Sequence, residues 1–170
     1  MIVGRENLIK LFPNFKEDVQ ENGIDLRVGS IFQNEDDYPN RFLGCIEDEK
    51  VLPTLDELQV SYLDGKPVYI LEPMKYYFVK TDRDIEIPNG YTQTYAIRST
   101  FARCGLLLIS AIGDNGFNGR LMMGLYNTNR NVPIIIGENE RIIQAVTYEN
   151  DGTASQYDGS YQNNKEYGGE

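Results

Sequence analysis

The chain predicts an all-β protein, a distorted jelly roll or barrel with one short helix at its start. Three observations carry this expectation. From residue 67 onward, short runs of β-branched and aromatic residues recur at spacings near ten residues. Gly, Pro, Asn and Asp punctuate those runs, which is the cadence of short strands joined by tight turns. Upstream, "GIDLRVGSIF" alternates apolar and polar residues, with Ile24, Leu26 and Val28 on one face, as a half-buried strand requires.

Taken in order, "RENLIKLF" reads as a short helix ended by Pro13, which has no N–H to continue the ladder. The alternating strand follows, then the acidic loop "QNEDDYPN" and a weakly structured stretch to about residue 65. Within that stretch "TLDEL" sets Glu57 three residues after Thr54, the spacing of a capping box, and reads as a helical turn. Strands are then expected in "PVYILEP", "KYYFVKT", "DIEIPNGYTQTYAIRS", "CGLLLISAI", "GRLMMGLYN", "VPIIIGENE" and "RIIQAVTYE". After Asn150 the chain turns polar, with almost nothing to bury. One β domain, 1–150, therefore precedes a tail, 151–170. That tail either frays or, through the regularly spaced Tyr157, Tyr161 and Tyr167, orders over a ligand.

Composition narrows the function. The 170 residues carry a net charge of −10, which argues against nonspecific nucleic-acid binding, since that needs a basic face. No apolar run approaches the roughly 20 residues of a membrane helix, and "MIVGRENLIK" lacks the start of a secretory signal. A soluble, cytoplasmic protein is expected. No histidine is present, which excludes Ser-His-Asp triads and Cys-His proteases, and with no CxxC the zinc site of the familiar nucleobase deaminases, a His or Cys beside a Glu and then a CxxC, is absent too. Any proton transfer falls to Asp, Glu, Lys, Tyr or an activated water. Cys45 and Cys104 form no CxxC and are expected as reduced core residues.

The charge is unevenly spread. Residues 96–147 hold five arginines against three acids, a net +2 inside an acidic chain, which suits a small polyanion as well as an ordinary mixed surface. Within residues 96–127 the single carboxylate is Asp114, on a glycine-rich turn, with Arg98, Arg103 and Arg120 in the same segment. Arginines near Asp114 would hold it as an anion.

Four segments, in order, carry a resemblance: "NGIDLRVG" (22–29), "IPNGYTQTYAIRSTFAR" (87–103), "IGDNGFNG" (112–119) and "RIIQAVTYE" (141–149). Together they resemble the motifs of the dUTPase and dCTP deaminase superfamily. The resemblance implies a dUTPase-like β-clip and a homotrimer with active sites at subunit boundaries. It also implies a deoxyuridine or deoxycytidine triphosphate as substrate, with Mg²⁺ held through phosphates and water rather than by side chains. Asp114 would be the catalytic base. Arg98, Ser99, Arg103 and Gln144 would contact phosphates. Ile112 and Gly113 would read the base through their backbone, Phe117 would lie under the sugar, and Tyr157 and Tyr161 would close over the nucleoside. Phe117 as a core residue and Arg98 as an ion-pair partner stay open as alternatives.

Within this resemblance the two activities diverge at one position. The deaminases carry a glutamate five residues after the glycine matching Gly119; here that position is Gly124. Its neighbours Met123 and Leu125 point to the opposite face of a strand and cannot substitute. This favours a dUTP diphosphatase, which hydrolyses dUTP to dUMP and pyrophosphate. The turn "RSTFAR" with Arg103, and the ending "YDGSYQ", resemble the deaminase branch instead. Deaminase or bifunctional activity, and a non-catalytic nucleotide-binding relative, are the alternatives.

Overall fold

The computed structural model describes residues 1–34, 43–46, 49–152 and 155–164. The predicted acidic loop beyond Asn34, and Tyr167, lie outside the described residues.

Helix α1 spans Arg5–Leu11 and ends where expected: the N–H of Phe12 donates to the Leu8 carbonyl (2.8 Å), and Pro13 then opens a 3-10 turn, Pro13–Asp18. This segment is bound into the fold by Leu8, Phe12 and Phe15, all buried. Buried Asp18 fastens it further, taking Arg27 at 2.7 Å and Arg83 at 3.5 Å.

Strand β1 (Ile24–Asn34) is the spine. Short strands β2 (Gly44–Ile46), β3 (Glu49–Val51), β4 (Leu55–Glu57) and β5 (Ser61–Leu63) follow. The predicted helical turn at "TLDEL" is therefore a strand: residues 55–57 pair antiparallel with residues 32–34 of β1. A strand edge offering a full set of partners outweighs one weak capping signal. The next strands are β6 (Lys66–Leu71), β7 (Tyr76–Thr81), β8 (Ile85–Glu86) and β9 (Tyr91–Ile97). A five-residue helix α2 (Ser99–Arg103) leads to β10 (Leu106–Ile109). Then come β11 (Asn118–Gly119), β12 (Met122–Asn127), β13 (Ile134–Gly137) and β14 (Arg141–Glu149).

The main sheet runs β10-β12-β7-β1-β14-β9, with β4 also on β1. Its two end strands, β9 and β10, are consecutive in the chain, joined by α2 and in contact, so the sheet comes nearly round on itself. Closure of this kind removes the exposed edges that all-β proteins must manage. Inside sit Ile24, Leu26, Val28, Ile31, Val79, Leu106, Leu125 and Ile143. The alternation read from "GIDLRVGSIF" thus holds, with Ile24, Leu26 and Val28 at 1 % exposure or less.

Both cysteines are unpaired as expected but do not lie in the core. Cys45 and Cys104 are free and exposed, one on β2 and one at the end of α2. Among the described residues no helix is long and apolar enough to cross a membrane.

Candidate active site

The outer face of the sheet carries a cavity of about 510 Å³. Alternation along β7 places Tyr76, Phe78 and Lys80 on this face and sends Tyr77, Val79 and Thr81 into the core. On β12, Gly124 sits in register between Phe78 of β7 and Ile109 of β10. The loop 110–114, Phe117, Arg120, and Tyr157 and Tyr161 from the tail complete the lining.

The loop is held by backbone. Gly113 exchanges both hydrogen bonds with Gln93 of β9 (2.8 and 2.9 Å). It must be glycine, because a Cβ there would strike the Tyr95 hydroxyl and lie 2.7 Å from Ile87 Cδ1. In this structure the Gly113 N–H and C=O are therefore engaged with β9. The neighbouring Ile112, 61 % exposed, has an N–H and C=O without partners among the described residues. Beneath it a buried polar chain holds β9: Tyr95 donates to Gln93 Oε1 (3.2 Å), and Gln93 Nε2 donates to Thr147 Oγ1 (3.1 Å). Burial, reinforced by the Asp114 charge, pushes the Tyr95 phenol well above its ordinary range, so it stays a donor.

Asp114 is exposed, on a rim shared with a second, polar cavity lined by Thr92, Asn115, Asn150, Ser155 and Gln156. Its backbone is fixed from both sides, by Gly113 and by buried Asn115. The Asn115 side chain accepts from the Gly90 N–H (2.6 Å) and donates to the Ser155 carbonyl (3.0 Å). The Asn115 carbonyl accepts from the Tyr157 N–H at 2.8 Å. The tail thus packs on the loop. Tyr157 meets Phe117 edge to face at 5.9 Å, and Gln162 bridges the Asn118 N–H (2.9 Å) and the Gly116 carbonyl (3.0 Å). Phe117 joins the core cluster and also lines the cavity.

The floor explains Gly124. A Cβ at this position would strike the Tyr76 hydroxyl and lie 2.7 Å from Cζ. The tyrosine ring crosses the glycine and fills the volume a side chain would take.

The remaining predicted residues lie elsewhere. Arg98, Ser99, Arg103 and Gln144 do not line the Asp114 cavity in this chain. Of the three arginines expected around Asp114, only Arg120 lines its cavity, where it also faces Asp84 at 3.7 Å. Arg98 and Arg141 gather instead around Asp25 (3.4 and 3.7 Å), which is 1 % exposed and pairs in register with Gln144. Neither Asp25 oxygen has a hydrogen-bond partner among the described residues. Burial raises its carboxyl above the usual range, and the arginines offset this only in part. Asp25 was missed in the sequence because alternation marks Ile24 and Leu26 as inward and Asp25 as outward. The available signal was its place in "NGIDLRVG".

These features define a class: a nearly closed, nearly all-β barrel whose loop presents one aspartate beside a cavity of nucleotide size, the fold of the dUTPase-like enzymes. A family described as dCTP deaminase-like matches residues 3–150. The chain belongs to that family, within the dUTPase and dCTP deaminase superfamily, and is an enzyme. A "Probable deoxyuridine 5'-triphosphate nucleotidohydrolase" of Methanothermobacter thermautotrophicus is 41% identical, covering 95% of this chain and 99% of that one. Its counterpart of the same name in Methanopyrus kandleri is 33% identical over 95% of this chain and 99% of that one. A dCTP deaminase of Sulfurisphaera tokodaii is 28% identical over 92% of this chain and 80% of that one. Among solved structures, the 2'-deoxycytidine 5'-triphosphate deaminase from Agrobacterium tumefaciens shares the fold, with TM-score 0.60 and 18% identity. That alignment covers 86% of this chain, which spans 46% of the larger one.

Proposed function

We propose that the protein is a dUTP diphosphatase, hydrolysing dUTP to dUMP and pyrophosphate. The observation that carries this reading is the cavity's chemistry: its lining includes one carboxylate, Asp114, and the Gly124 position is closed by Tyr76. A second acid to carry protons to a pyrimidine ring is lacking among the lining residues, whereas hydrolysis needs one base. The relatives named as deoxyuridine triphosphate nucleotidohydrolases, matched nearly end to end, support the same choice.

Asp114 is exposed and can take the proton of a water. As it does so, the water oxygen bonds to the α-phosphorus, the bond from that phosphorus to the bridging oxygen breaks, and pyrophosphate departs with the electron pair. The loop bonds of Gly113 and Asn115 fix the backbone on either side of Asp114, which limits the positions its carboxylate can take. Lys80 and Arg120 face the same cavity and supply positive charge there.

Arg98, Ser99, Arg103 and Gln144 are assigned to the phosphates of a site completed by a neighbouring copy. Their separation from the Asp114 cavity within one chain supports that assignment, and a homotrimer is the assembly proposed. Equilibrium sedimentation that returns a monomer at micromolar concentration would remove it.

Mg²⁺ fits as a cation brought by the substrate. Phosphate oxygens and water are the ligands proposed for it, and among the described residues no group of three or more acidic, His or Cys side chains offers an alternative. When bound it spreads the charge of the triphosphate.

The test is direct. The protein is incubated with dUTP and with dCTP in the presence of Mg²⁺, and dUMP, dUTP and pyrophosphate are separated. Release of dUMP and pyrophosphate from dUTP alone is expected. Formation of dUTP from dCTP would favour the second reading, deamination, to which the dCTP deaminase among the relatives points.

A further inference from the structure

We infer that Tyr76 closes the inner end of the cavity and contacts the edge of the bound pyrimidine through its hydroxyl. The inference rests on the proposed dUTP diphosphatase reading and assigns the part of the site that meets the base.

Three observations carry it. First, the cavity is graded from its mouth to its floor. Asp114 and Arg120 are exposed, while Gly124 and Met123 are buried and Phe78 and Tyr76 half-buried. A triphosphate leaves its charge at such a mouth and sends its ring inward.

Second, the Tyr76 ring is fixed. It stands edge-on to Phe78, with centroids 4.9 Å apart and planes at 87°, and it lies so close over Gly124 that a methyl there would reach 3.0 Å from Cε2. Glycine weakens a strand interior, and this one is explained by the ring crossing it.

Third, the hydroxyl has no hydrogen-bond partner among the described residues, although burial raises its phenol above the ordinary range and keeps it protonated. A phenol of this kind normally finds a partner. A ring carbonyl of the nucleobase supplies one, and the rigid floor beneath it sets how deep the ring can go.

Tyr76→Phe retains the ring over Gly124 and removes only the hydroxyl. Wild type and variant are compared by calorimetric titration with α,β-imido-dUTP, by inhibition with pyrophosphate, and by dUTP kinetics. The variant is expected to bind imido-dUTP about 3–10-fold more weakly, the loss that follows one neutral hydrogen bond. KM should rise by a similar factor, with kcat and the pyrophosphate inhibition constant unchanged.

Equal affinity of both proteins for imido-dUTP, with wild type hydrolysing dUTP, overturns the Tyr76 assignment alone. An equal loss of imido-dUTP and pyrophosphate binding marks a general distortion and also overturns it. A wild-type protein that neither binds imido-dUTP nor hydrolyses dUTP overturns both this inference and the reading beneath it.

Discussion

Gly124 gives the sharpest test of the floor. Replacing it with alanine places a methyl against the Tyr76 hydroxyl and 2.7 Å from Cζ, closer than non-bonded carbons approach. The ring is wedged against Phe78, so relief requires either a rotamer change or a shift of β7 against β12. Overpacking of this kind costs about 1–3 kcal/mol. Removing a strand glycine returns roughly 0.5–1 kcal/mol. Taken at their midpoints, the two leave a net destabilisation of about 1 kcal/mol for Gly124→Ala. Gly124→Glu adds a carboxylate at a buried position of the cavity floor, where it either takes up a proton or costs several kcal/mol more as an unpaired charge. Urea unfolding monitored by tyrosine fluorescence reads the stability, and pyrophosphate release from dUTP reads the activity. Alanine should lower both modestly. Glutamate should abolish dUTP hydrolysis, with at most a trace of dUTP formed from dCTP. An alanine variant as stable and as active as wild type would refute the packing argument. Robust conversion of dCTP to dUTP by wild type would refute the choice of branch.

Other outcomes follow from the same geometry. Asp114→Asn is nearly isosteric and should retain imido-dUTP binding while turnover falls about 10²–10⁴-fold, the usual loss with a general base; near-normal turnover would assign the chemistry elsewhere. Asp25 has a folded-state pKa raised by burial, so its protonated form favours the fold and that advantage is lost as pH rises through the raised value. Asp25→Asn should therefore gain stability relative to wild type as pH climbs from below about 4 toward neutrality, and thermal melts showing a pH-independent difference would contradict this. Truncation after Asn150 removes Tyr157 from Phe117 and Gln162 from the loop, so activity should fall by a larger factor than the folding equilibrium. Unchanged kcat and KM in the truncated protein would make the tail a spectator.

Much of the fold was written locally. Alternation in residues 23–32, the recurring short runs from residue 67 and the proline after α1 each specify an element through neighbours two to four residues apart, and each element formed. The site loop was legible for the same reason. "IGDNGFNG" packs its turn residues and its aspartate into one segment, so Ile112, Gly113, Asp114 and Phe117 all reach one cavity without help from distant register.

The tertiary structure decided everything that depends on which strands become neighbours. Gly124 could be singled out in the sequence as an anomaly. Its cause, Tyr76, lies 48 positions away and meets it only because β7 and β12 pair with Gly124 opposite Phe78. The same holds for the arginines. Their sequence neighbourhood suggested Asp114, but strand pairing beside β14 gave Arg98 and Arg141 to Asp25 and left Asp114 with Arg120. The pairing of Gly113 with Gln93, twenty positions upstream, is likewise set by how the loop meets β9. Periodicity encodes which way a side chain points, because that is settled within a few bonds. Who stands opposite is a property of the closed sheet, where register and packing are chosen together.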